Sequence, residues 1–81
     1  MSYSARVDVM LKPGISDPQG QTIEKALPVL GYSGVSDVRV GKRIDLEVDA
    51  ANVDEARTKV QEMCERLLAN PVIESYEVSI G

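Results

Sequence analysis

Cys64 is the only cysteine in a chain of 81 residues that contains no histidine. A thiol attacks as its thiolate, and the usual activator is a neighbouring imidazole. Without one, and with Val60, Leu67 and Leu68 on the same helical stripe, Cys64 reads as a buried structural thiol. The missing histidine also removes the commonest metal ligand and the usual base of a nucleophilic serine. Asp45, Glu47 and Asp49 alternate along the chain, so on a strand their carboxylates project from one face. Such neighbours lie ~7 Å apart, which is wide for joint ligation of Mg²⁺ or for an acid/base pair. A solvated or partner-facing acidic stripe is expected.

Two glycine-containing loops, Lys12-Pro13-Gly14-Ile15-Ser16 and Gly41-Lys42-Arg43, lack the spacing of a P-loop or a dinucleotide-binding turn. The expected helix starts carry their own acceptors, Asp17 at one and Asn52 with Asp54 and Glu55 at the other, which displace or repel a bound anion. Arg39, Lys42 and Arg43 cluster around one expected hairpin and form a small basic tip. Such a tip suits an acidic surface or a phosphate held by another subunit. No complete catalytic centre, cofactor site or metal site can be assembled from these groups.

The elements that carry them follow from periodicity. Tyr3, Ala5, Val7, Val9 and Leu11 alternate with Ser4, Arg6 and Asp8, the pattern of a half-buried first strand. Asp17-Pro18 supplies an N-cap and a proline at the first helical position. Ile23, Ala26, Leu27 and Leu30 then form a helical stripe, and Gly31 suits the left-handed position after it. Pro28 deprives the Glu24 carbonyl of its helical partner and predicts a kink or a loosened final turn.

Val38 and Val40 predict a second strand and Ile44, Leu46 and Val48 a third, joined by a three-residue turn over Gly41 to Arg43 that pairs Val40 with Ile44. Asn52 with Glu55 predicts the start of a second helix along Val53, Ala56, Val60, Met63, Cys64, Leu67 and Leu68. Asn70-Pro71 ends it, and Val72, Tyr76, Val78 and Ile80 predict a fourth strand, interrupted at Glu74. The order is βαββαβ: one α+β domain over residues 1–81, a ferredoxin-like two-layer sandwich with an antiparallel sheet and both helices on one face.

Composition narrows the function. Apolar residues make up 43% and charged residues 27% of the chain, ordinary for a globular domain, and the net charge of −4 argues against sequence-independent nucleic-acid binding. No apolar run approaches the ~20 residues of a membrane span, so a cytoplasmic protein without a membrane partner is expected. A domain this small leaves much surface exposed, and a sheet with an open face and free edges gains from self-association into a dimer or tetramer.

Leu11-Lys12-Pro13, Asp17-Pro18-Gln19-Gly20, Leu30-Gly31-Tyr32, Asp37-Val38-Arg39 with Gly41-Lys42, and Leu68 to Glu74 with Tyr76-Glu77 together resemble the PurS family, in order and over nearly the whole chain. The resemblance implies a small subunit of phosphoribosylformylglycinamidine synthase, which converts formylglycinamide ribonucleotide to the amidine in purine biosynthesis. It implies partners of the PurL type, which uses ATP and Mg²⁺, and of the PurQ type, which hydrolyses glutamine. The small subunit would bridge them and assist passage of ammonia, binding no cofactor itself. Carried over by position, Asp17, Gln19 and Gly20 at the first helix entry, and Arg39, Gly41 and Lys42 at the hairpin with the adjacent Arg43, are expected partner contacts. An ACT-type regulatory domain shares the βαββαβ plan and is the alternative; an acylphosphatase-type enzyme would need an Arg and an Asn in a phosphate-cradling loop, which Lys12-Pro13-Gly14 does not supply.

Overall fold

In the computed structural model, which describes residues 1–81, strand β1 (Ser2–Leu11) is central, flanked by β2 (Gly41–Asp49) and β3 (Glu74–Ile80), both antiparallel to it. Its odd residues do the packing: Val7 lies between Ile44 and Val78, and Ala5, Val7 and Val9 are buried. Even residues face the open side, where Ser4, Arg6 and Asp8 pair with Glu47, Asp45 and Arg43. Period-two alternation thus becomes a sheet with one aliphatic and one charged face.

Helix α2 (Val53–Met63) covers the aliphatic face with Ala56 and Val60. Asn52 Oδ1 accepts the Glu55 N–H at 2.8 Å, and Asp54 and Glu55 occupy the first turn, where carboxylates are favoured. The helix continues as a π-turn, Cys64–Leu68, closed by Ala69 N–H to the Cys64 carbonyl at 3.1 Å. The wider turn rotates its residues off the α-helical stripe, which places Cys64 and Ala69 inside but leaves Leu67 83% exposed, contrary to the expectation for Leu67.

The α+β class with an antiparallel sheet and two helices holds, but four features differ from the ferredoxin-like expectation. There are three strands, because the Val38–Val40 segment is not in the sheet. Its N–H groups are taken by carboxylates: Val38 donates to Glu24 Oε1 at 3.0 Å and Val40 to Asp17 Oδ2 at 2.8 Å. The Gly41–Arg43 turn is consequently absent, and β2 runs straight from Gly41. The last strand starts at Glu74, since Val72 N–H and Asn70 N–H are satisfied within a turn by Asn70 Oδ1 and Glu74 Oε1.

Helix α1 (Pro18–Val29) does not lie on the sheet beside α2. Its stripe stays largely uncovered, with Ile23 42% and Leu30 72% exposed. The chain measures 51 × 25 × 15 Å with a radius of gyration of 16.3 Å, against about 12 Å for a compact domain of this length. Pro28 sits in the final turn, where Leu30 and Gly31 donate to Leu27 and Pro28 in tighter i→i−3 bonds, the loosened ending that the sequence implies.

Candidate functional site

The seven residues nominated as partner contacts converge on one end of the molecule, where the start of α1 meets the start of β2. Asp17 is 5% exposed and caps α1: Oδ1 accepts the Gly20 N–H at 3.0 Å. Its other oxygen accepts the Val40 N–H, and Arg39 Nε lies 3.9 Å away. The Gly20 bond, then the Val40 bond, then the Arg39 charge hold the carboxyl below the ordinary aspartate range against the opposing effect of burial.

Gly20 is buried at the same junction, and a Cβ there would collide with the Val38 carbonyl and reach 2.7 Å from Asp17 Oδ2. The Asp-Pro-Gln-Gly segment therefore builds a clamp between α1 and the chain entering β2. Gly41 has a similar role, since a Cβ on it would strike the Val9 carbonyl and Met10. Arg39 folds inward and donates to the carbonyls of Ile15, Leu11 and Lys12 at 3.3 to 3.4 Å. It fastens the loop between β1 and α1 rather than extending a basic tip.

Gln19, Lys42 and Arg43 remain exposed. Gln19 and Lys42 line one shallow pocket of about 350 Å³ with Asp17, Val40, Gly41 and Glu74. Lys42 has no ion-pair partner, whereas Arg43 reaches across the open face to Asp45 at 3.0 Å. That hydrogen bond holds the Asp45 carboxyl low and raises the Arg43 guanidinium further. Of the expected basic cluster, Lys42 is the free cation. The two links to the 38–40 segment, from Glu24 of α1 and from its N-cap Asp17, had no sequence signal, because each joins residues far apart in the chain.

The chemistry of the remaining groups is structural. Cys64 is fully buried, and burial followed by the neighbouring Glu65 charge pushes its thiol up, away from the reactive thiolate. Asp45 is committed to Arg43 and Arg6. No group of three His, Cys, Asp or Glu side chains is arranged to hold a metal ion.

Residues 4–81 match the family model PurS, described as phosphoribosylformylglycinamidine (FGAM) synthase. The chain is 49% identical over 75 residues to the synthase subunit PurS of Mycobacterium leprae, covering 93% of this chain and 91% of the relative. It is 42% identical over 78 residues to PurS of Methanocaldococcus jannaschii, covering 96% and 94%. Among solved structures it superposes on a chain of the PurLQS structure from Thermotoga maritima with a TM-score of 0.91 at 40% identity, covering 100% of this chain and 99% of that one. The crystal structure of Methanocaldococcus jannaschii PurS, a subunit of formylglycinamide ribonucleotide amidotransferase, gives 0.86 at 42%, covering 98% and 95%. End-to-end identity at this level, together with a common backbone, means that this chain belongs to the PurS family of FGAM synthase subunits.

Proposed function

We propose that this chain is the non-catalytic small subunit of an FGAM synthase in purine biosynthesis, working in the cytoplasm and assembling with PurL-type and PurQ-type subunits. The observation that carries the reading is the whole-chain match to the corresponding chain of PurLQS, combined with a buried, unreactive Cys64. Glutamine hydrolysis through a thioester needs an activated thiol, and ATP use needs a phosphate and metal site. Those parts belong to the other subunits, which use glutamine, ATP and Mg²⁺; this chain holds them together, associates with itself as a dimer or tetramer, and assists transfer of ammonia between their sites. Nucleic acid and membrane have no part in it.

The test is reconstitution. A synthetase subunit and a glutaminase subunit, mixed with and without this chain, are assayed with glutamine and separately with ammonium as nitrogen source. Glutamine-dependent synthesis should need the chain, while ammonium-dependent synthesis by the synthetase alone should persist. Equal glutamine-dependent rates with and without the chain would overturn the proposal.

A further inference from the structure

The turn between the π-turn and β3 is fastened by its own side chains and by the loop beside it. Asn70 N–H donates to Glu74 Oε1 at 2.6 Å and Val72 N–H to Asn70 Oδ1 at 3.1 Å. The Ile73 and Glu74 N–H groups donate to the Asn70 carbonyl at 3.1 and 2.7 Å. Pro71 has no N–H, so every backbone donor from Asn70 to Glu74 is satisfied inside the turn. From the loop after β1, Lys12 N–H donates to the Ile73 carbonyl at 2.8 Å and Lys12 Nζ to the Pro71 carbonyl at 2.7 Å. None of these bonds uses the side chains of Pro71 and Val72. Both are exposed, Val72 to 80%.

Turns favour Gly, Asn, Asp or Ser, and a β-branched apolar side chain left in water does nothing for the fold. A single exposed valine is ordinary on a protein surface. Here, however, the exposed Pro13 follows Lys12 directly, so two tied loops present Pro13, Pro71 and Val72 at one end of the molecule. That tip continues through Glu74 into the pocket lined by Gln19 and Lys42. Lys12 and Lys42 flank it, and neither has an ion-pair partner, which makes a local excess of free cations on a chain of net charge −4.

We infer that Pro71 and Val72 form a preorganised knob that enters an apolar socket, rimmed by carboxylates, on another subunit of the assembly. The inference rests on the assembly proposed above and names the surface of this chain that makes the contact. Because the turn is locked before contact, docking orders little additional chain, and the burial of Val72 is not cancelled by loop entropy. The carboxylate rim is what two free lysines beside the knob select. A second copy is a poor occupant. Tip against tip would bring the unpaired lysines of both copies together, and the open sheet face of another copy is charged, with Met10 its one apolar side chain.

The full-length chain carrying Val72→Cys tests the contact directly, because its one native thiol, Cys64, is buried. With synthetase and glutaminase subunits present, at concentrations where sedimentation detects assembly, iodoacetamide should modify the introduced thiol at least about tenfold more slowly than in the isolated chain. Val72→Asp should leave the melting temperature within about 2 °C of wild type and raise the dissociation constant for one of those subunits at least about tenfold, whereas Val72→Ile should keep it within about threefold. Val72→Ser, which removes apolar surface without adding charge, should weaken the same association should the aspartate disturb the turn. A wild-type chain that assembles with neither subunit would overturn the assembly and the knob together. Assembly with labelling unslowed, or with Val72→Asp and Val72→Ser binding as wild type does, would overturn the knob alone. Loss of self-association by Val72→Asp, with binding to the other subunits unchanged, would make a second copy the occupant and overturn it as well.

Discussion

Asp17 Oδ2 accepts the backbone N–H of Val40 at 2.8 Å, across 23 residues, while its Oδ1 caps the helix that begins beside it. One buried carboxylate thus fixes the start of α1 against the start of β2. Asp17→Asn keeps the shape but turns an NH₂ donor toward a backbone donor, so one bond is lost and its place becomes repulsive. The thermal midpoint should fall by roughly 5 °C or more, with amide exchange at Gly20 and Val40 accelerated while β1 stays protected. An unchanged midpoint would mean that the junction carries no stability.

The same carboxylate gives an acid dependence whose sign is fixed. Its folded pKa lies below the ordinary ~3.9, so its contribution is complete above that value and is lost as pH falls through the lower, folded value. Asp45, held low by Arg43 on the exposed face, acts in the same direction but is screened by salt. Denaturant midpoints should be flat from about pH 7 to 5 and decline below about pH 4. Adding salt should reduce the Asp45 part, and Asp17→Asn should flatten the rest; an identical acid slope in that variant would contradict the assignment.

Gly20→Ala places a methyl against the Val38 carbonyl, which is backbone and cannot swing aside as a side chain can. The expected cost is about 2 kcal/mol by chemical denaturation, in the range for overpacking a tight site. Gly41→Ala meets the flexible Met10 side chain but also the Val9 carbonyl, so it should be costly too, and through β1–β2 pairing rather than through α1. Exchange protection separates them: the first variant should loosen α1, the second the Gly41 end of the sheet. A neutral Gly20→Ala would show that α1 can shift without loss.

The contrast between α2 and α1 explains what was legible in the sequence. Local signals sufficed for α2, where Asn52 caps, Val60 packs and Asn70-Pro71 stops, and for β1, where alternation matched the buried face residue by residue. They failed at Val38 and Val40, whose β-branched side chains indicate a strand although their N–H groups are taken by Glu24 and Asp17 from a distance. They also failed at Leu67, which a π-turn rotates outward, since nothing in a helical repeat announces one extra residue in a turn. Of the nominated contacts, the motif order picked two segments that the fold brings together at one end of the molecule. It could not separate Asp17, Gly20 and Gly41, which build that end, from Gln19, Lys42 and Arg43, which stand on its surface.

That separation can be measured. Lys42 is exposed and has no ion-pair partner, so Lys42→Glu should leave the melting temperature within about 2 °C of wild type. If the surface beside Gln19 meets an acidic patch of another subunit, the same change should weaken co-purification with the synthetase or glutaminase by about tenfold and make the wild-type association salt-sensitive. Retention of full affinity at low salt would remove Lys42 from the contact.

Cys64 supplies the sharpest division between packing and chemistry. The thiol is fully buried beside Val60 under the sheet, and both burial and Glu65 oppose its ionisation. Iodoacetamide should therefore leave the native chain unmodified at pH 7 and label it only after unfolding. Cys64→Ala removes one buried sulfur and leaves a small void, so stability should drop by about 1–2 kcal/mol. Glutamine-dependent activity of the reconstituted assembly, measured below the variant's melting range, should stay within twofold of wild type. A loss of glutamine-dependent turnover with ammonium-dependent turnover intact, in a folded Cys64→Ala chain, would instead place the thiol in the transfer of nitrogen.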